Sequence, residues 1–157
     1  MKRLALAVVS ESFERPDLCG PCGGRCCKTM PGAAFPHDFP GDLAVEVKRA
    51  LEVGRWAIDW WHGDPRPRGR RDRTYFVRPA TVGREGKRLD PSWGGACTFH
   101  GPAGCSIFAT RPSGCRGLEP RPDQRHCEIR HSSKQDAAIA WVPHQKLLER
   151  LAREVAS

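Results

Sequence analysis

Long apolar runs are missing from this chain. Nowhere do its 157 residues approach the ~18 consecutive apolar residues of a membrane-crossing helix. The apolar start, Leu4 to Val9, passes after six residues into Ser10-Glu11-Ser12. A secretory core needs roughly 7–15 apolar residues and a small-residue cleavage site, and neither is present in convincing form. These absences predict a cytoplasmic protein with no membrane partner. In that compartment a disulfide framework is disfavoured, and clustered cysteine points to metal binding or redox chemistry. Apolar residues make up only 39% of the chain, whereas glycine (16) and proline (14) are plentiful. One loop-rich domain over residues 1–157 is expected, with metal cross-links replacing some of the missing apolar burial.

Cysteine is what the chain has in abundance, with eight residues in a tight cluster and a looser series. The cluster reads Cys19-Gly-Pro-Cys22-Gly-Gly-Arg-Cys26-Cys27, and the series is Cys97, Cys105, Cys115 and Cys127. Thiolates this close, separated by glycines that let the backbone wrap a small object, suit a soft metal. The formal net charge is +8 with neutral cysteines. Eight thiolates holding two divalent ions would lower it by about four, because ligating thiols lose their protons. The basic character survives.

Residues 13–36 read almost entirely as turn carrying the first cluster. Asp42 is an N-cap signal, and apolar residues at 43, 47, 50 and 51 lie on one helical face that Gly54 would stop. A second short helix or turn is expected over Arg55–Trp61. Thr74–Pro79 is rich in β-formers and reads as a strand, and Cys97–Phe99 as a short one. A final helix begins near Lys134, breaks or kinks at Pro143 and shows the stripe Leu147, Leu148, Leu151, Val155. The expected fold is therefore a small irregular α+β domain, loop-rich and metal-stapled. Its helices lie near 42–61 and 134–156, its short strands near 74–78 and 97–99.

All eight cysteines are candidate metal ligands. A tetrahedral site needs four, so the N-terminal cluster is expected to dock on the 97–127 region and share ligands with it. Neighbouring residues seldom place both sulfurs on one ion, so Cys26 and Cys27 are expected to serve two centres, or one of them to bridge. Zinc and iron, including a [4Fe–4S] cluster, both suit thiolates, and spacing does not separate them. His100, His126 and His131 lie near cysteines; His100, three residues after Cys97, is the best placed of them as a ligand.

The C-x2-C-x3-C-C cluster, followed by Gly104-Cys105-Ser-Ile-Phe, Arg111-Pro112 and Cys115-Arg116, resembles the YkgJ-type cysteine cluster family. Its members are also described as zinc- or iron-chelating, or CxxCxxCC, proteins. The resemblance spans residues 19–127, and all eight cysteines fall on the family pattern. The name-giving pattern has two residues before the Cys pair, where this chain has Gly23-Gly24-Arg25. The resemblance implies chelation and a small irregular fold. One relative, the flagellin lysine N-methylase, is associated with an iron–sulfur cluster. Methyl transfer does not carry over, since no glycine-rich fingerprint between strand and helix serves S-adenosylmethionine here.

The leading expectation is a cytoplasmic zinc- or iron-chelating cysteine cluster protein whose centre is structural or redox-active, with a protein as its partner beyond the metal. The alternative is an iron- or iron–sulfur-dependent enzyme modifying a protein or peptide, with Asp59, Arg78, Arg111 and Arg116 as polar candidates. Arg111 and Arg116 equally suit a supporting role, hydrogen-bonding cluster sulfurs or loop carbonyls. The third is a zinc-shaped nucleic-acid module using the arginines of 66–73, against which a solvated loop is preferred. Trp56, Trp60 and Trp61 are expected to pack against the metal loops.

Overall fold

The computed structural model describes residues 16–91, 94–123 and 127–154; the Leu4–Val9 run, His126 and Val155 lie outside them. Helix α3 (Leu43–Val53) forms where the local signals place it. Asp42 Oδ1 accepts from the Val45 amide at 3.0 Å, and Gly54 closes the helix in the left-handed region at φ 87°.

The next segment departs from expectation. Instead of a helix over Arg55–Trp61, the chain forms strand β1 (Trp56–His62), paired antiparallel with β2 (Arg73–Pro79) in the register Ile58↔Val77. Tryptophan and isoleucine favour a pleated, half-buried surface. The seven-residue ladder gives both strands' amides partners that a single helical turn could not. On this hairpin lie α3, α5 (Lys134–Trp141) and α6 (Gln145–Arg153). Val47, Leu51, Ile58, Phe76, Val77, Ala137, Ala138, Trp141, Leu148 and Leu151 form the buried core.

The C-terminal helix breaks at Pro143 as expected, giving two helices. Ser133 and Asp136 form a reciprocal capping box at the start of α5, and a 3-10 turn over Val142–His144, containing Pro143, divides it from α6. Gln145 then mimics a neighbouring strand. Its Oε1 accepts from the Tyr75 amide and its Nε2 donates to the Tyr75 carbonyl, each at 2.8 Å.

Two further antiparallel pairs are minimal: β3 (His100–Gly101) with β4 (Gly104–Cys105), and β5 (Leu118–Glu119) with β6 (Glu128–Ile129). The molecule is thus a small α+β fold of helices and short antiparallel pairs. The strand expected at 97–99 is displaced. Cys97 makes only an isolated bridge to Thr81, Thr98 and Phe99 are turn, and the strand proper starts at His100. Among the described residues no helix is long and apolar enough to cross a membrane.

Two connections carry the core's rigidity towards the cysteines. Ala34 bridges Val77 on β2 and its carbonyl accepts from Trp141 Nε1 at 2.8 Å, fixing the segment just after the first cluster. Beyond β2, Val82 N donates to Ala96 O and Thr98 N to Ala80 O, so the chain around Cys97 is laced to the end of the hairpin.

Candidate metal centre

The first cluster is helical rather than looped. Cys19 and Cys22 lie on α1 (Pro16–Cys22), Cys26 and Cys27 on α2 (Arg25–Thr29). Gly23 and Gly24, at φ 67° and 78°, supply the reversal between them, a conformation that costs glycine nothing. A Cβ on Gly24 would also sit 2.8 Å from His100 Nε2. That close approach is functional for the fold, because His100 Nε2 lies 3.1 Å from the Gly23 carbonyl and fastens the cluster to β3.

The second series reaches the same place by backbone bonds. The Cys97 amide donates to the Cys27 carbonyl at 2.6 Å, and the Gly95 amide to Thr29 O at 2.8 Å. Cys105 stands opposite His100 in the β3–β4 pair. Cys115 sits on α4 (Ser113–Arg116) and packs against Gly32, where an added Cβ would meet both its Sγ and its amide at 2.6 Å. Asp38 anchors α4, accepting from Ser113 N at 3.0 Å and Ser113 Oγ at 2.7 Å. With that hydroxyl proton committed, His37 Nε2–H donates to Ser113 Oγ at 2.8 Å. The trio resembles a nucleophilic triad in composition only: Ser113 is 1% exposed and its proton goes to the carboxylate. Cys127 leads into β6, whose partner β5 follows directly on α4.

All eight thiols are free. Burial and mutual electrostatic influence shift several of them. Cys26 and Cys27 share a hydrogen bond that holds the Cys26 thiol down at about 6, and Cys127 also hydrogen-bonds Cys26. The same bond, with burial and the charges of Cys26, Cys115 and Cys97, pushes Cys27 up. Burial first, then Cys97, Cys26 and Cys105, push Cys115 up to about 12. Burial, followed by Cys26, Cys19 and Cys22, does the same for Cys127, also to about 12. Cys97 is raised by burial and by Cys105. Sulfurs from both halves of the sequence therefore lie within electrostatic reach of one another. Among the described residues, however, no group of three or more His, Cys, Asp or Glu side chains is set as a ready-made ion cage.

The other polar candidates are engaged elsewhere. Arg78 is fully buried. Its Nε donates to Asp59 Oδ2 at 2.8 Å, its Nη1 to Asp90 Oδ2 at 3.3 Å and its Nη2 to Asp90 O at 2.7 Å. Asp90 also accepts from Thr81 N and Oγ1, which ties this network to the bridge holding Cys97. Asp59 and Arg78 were both singled out in the sequence as polar candidates, whereas Asp90 was missed. Arg111 lies over the Phe108 ring at 4.0 Å and donates to the Phe108 carbonyl at 2.6 Å, while Arg116 reaches Ala109 O at 3.5 Å. Both hold the loop before Cys115. His131 Nδ1 contacts Ser132 Oγ. Of the 66–73 arginines, Arg66 pairs with Asp64, Arg71 with Glu149, and Arg73 stacks over Trp60 at 4.2 Å. Trp56 packs on Phe99 with ring centroids 5.4 Å apart, joining the hairpin to the second cysteine region. Trp61 lies against the core and Trp60 against Tyr75, away from that contact.

No protein-family model matches this chain, and neither a curated protein nor a solved structure does.

Proposed function

We propose that this chain is a cytoplasmic cysteine-cluster protein of the YkgJ type that binds zinc or iron, as ions or as a [4Fe–4S] cluster, through its eight cysteines. The observation that carries the reading is the bond from the Cys97 amide to the Cys27 carbonyl at 2.6 Å, which sets the second cysteine series against the first. Free thiols from opposite ends of the sequence have been gathered where, as thiolates, they repel each other. Without a cation most of them stay as neutral thiols, and a bound cation would make the thiolate form favourable there.

The donor set fits the group. All eight donors are sulfur, the choice of structural zinc and of iron–sulfur clusters. Cys19, Cys22, Cys26, Cys27, Cys97, Cys105, Cys115 and Cys127 would hold it. Bound zinc supplies a cross-link, and a bound cluster supplies one-electron chemistry. The chain's own residues do the positioning. His100 fastens the first cluster, Asp38 steadies the turn bearing Cys115, and the Thr81–Asp90 bonds steady the segment bearing Cys97.

The test is anaerobic purification followed by metal and acid-labile sulfide analysis with an absorption spectrum. Zinc without colour supports a scaffold, and iron with sulfide and broad visible absorption supports redox work. A protein isolated anaerobically without zinc, iron or sulfide, and unable to take up zinc when reduced, contradicts the proposal.

A further inference from the structure

The arginine-rich loop between β1 and β2 is held in one arrangement by its own bonds. Asp64 stands at its centre. Its Oδ1 accepts from Arg66 N and Nε, each at 3.0 Å, and its Oδ2 from Arg66 Nη2 at 2.8 Å and Arg71 N at 3.2 Å. A Cβ on Gly69 would collide with that carboxylate, so only glycine closes the turn there. Arg68 is held at φ 61°, a region that residues with a side chain seldom adopt. Gly63 N donates to Asp72 O at 2.8 Å, and Gln135 Nε2 on α5 donates to Pro65 O at 3.2 Å.

The loop and the adjoining strand bring Arg70, Arg71 and Arg73 to one cavity of about 640 Å³, which they line with His62, Tyr75 and Glu149. His62 and Arg73 are cross-strand partners at the end of the hairpin, and Glu149 comes from α6. Three arginines against the carboxylates of Glu149 and Asp72, which also lines the cavity, leave one net positive charge. Glu149 is already engaged by Arg71 Nη2 at 3.2 Å. Arg71 Nε, by contrast, is buried and has no hydrogen-bond partner among the described residues. A buried cationic N–H without an acceptor is costly, and an anion beside it would supply one. The cavity is remote from the cysteines. Trp56 at the start of β1 packs on Phe99, and His62 lies six residues further along the strand, about 20 Å away at 3.3 Å per residue.

Three guanidinium groups converging on one place suit a phosphate. A lone phosphate would leave most of the volume unfilled, whereas cavities of about 300–1,000 Å³ take small organic molecules, and the Tyr75 ring offers such a body a wall. A nucleic-acid strand fits less well. It needs cations strung along a groove and open aromatic faces for its bases. Here Arg66 is turned to Asp64, and Arg73 already covers Trp60 at 4.2 Å. We propose that this cavity binds a small organic phosphate ester, its phosphate held by Arg70, Arg71 and Arg73. The site stands independently of the metal-binding reading.

The test is calorimetric titration of the full-length chain in low-salt, phosphate-free buffer with inorganic phosphate, thymidine monophosphate, thymidine and a short oligothymidylate. Phosphate and the monophosphate are each expected to bind once per chain, and thymidine not at all. Arg70→Gln and Arg73→Gln should each weaken the monophosphate about tenfold, the loss of a charge-assisted hydrogen bond, while Arg49→Gln on the exposed face of α3 changes nothing. Gly69→Ala, which keeps every arginine, should weaken it too. Because a variant can fail to fold, the wild-type protein carries a second readout. Bound monophosphate should shield Arg70, Arg71 and Arg73 from phenylglyoxal, mapped by peptide mass. Absence of binding by both phosphate and the monophosphate, thymidine binding as tightly as its monophosphate, or shielding of other arginines instead overturns the proposal. Tighter binding of the oligothymidylate than of the monophosphate overturns it in favour of a strand. Zinc uptake is measured on the same samples, so the two readings fail separately.

Discussion

Arg78 illustrates how a single side chain can mislead when read alone. Among Trp60, Trp61, Tyr75 and Phe76, a charged pair such as Asp59 and Arg78 has the composition of an active site. In the fold Arg78 is instead sealed between two carboxylates, with Asp59 at 2.8 Å and Asp90 at 3.3 Å. Nothing local reveals Asp90, because the turn that delivers it is set by long-range pairing. Replacing Arg78 by leucine strands two buried carboxylates, and such losses cost about 3–5 kcal/mol. Urea unfolding of Arg78→Leu should show a loss of that size, and a loss below about 1 kcal/mol would mean that the network is not buried as described. Gly32 makes the complementary case. An alanine there would push its Cβ to within 2.6 Å of Cys115 Sγ. Gly32→Ala is expected to weaken zinc affinity at least tenfold in competition with a chelator, whereas Val53→Ala, at an exposed position on α3, should leave it unchanged.

Elements with local signals were legible. Helix α3 carries its own cap at Asp42 and its own stop at Gly54, and α5 has the Ser133–Asp136 box. Removing that box in Ser133→Ala should destabilise the protein by about 1 kcal/mol, measured as a lower urea midpoint at unchanged slope. Strand β1 was not legible, since Trp56 and Trp60 are four apart, an interval that fits a helical face and a strand face equally. Its identity depends on β2, delivered across a ten-residue connection from residue 63 to 72. The helices α1 and α2 were hidden for a different reason. Glycine and proline between the cysteines argue for turns, yet the spacing of three puts Cys19 and Cys22 one turn apart on α1, and the interval to Cys26 spans the Gly23–Gly24 reversal. That periodicity was the available signal.

At the scale of the whole molecule, the hairpin and its three helices supply the apolar core, while the cysteine-bearing segments are held by short backbone contacts. The sequence singled out the eight cysteines as candidate ligands but not how the two halves meet, because that meeting depends on bonds such as Cys97 N to Cys27 O. Metal loading should therefore raise the thermal midpoint, and chelation should loosen residues 16–30 and 94–119 in hydrogen exchange before the hairpin opens. Acid should release the metal. Cys115 and Cys127 are held protonated up to about 12 by burial and neighbouring sulfurs, so an ion entering at neutral pH must displace their protons. Zinc affinity should accordingly rise with pH across the neutral range, and calorimetry in buffers of different ionisation enthalpy should register proton release.

The most direct test is a thiol count on the anaerobically isolated protein, made before and after a strong chelator. If the sulfurs grip metal, thiol reagent should find them slow at first, and all eight cysteines should become reactive once the metal is removed. Equal reactivity in both states, or fewer than eight thiols after chelation because some are joined as disulfides, would contradict the account.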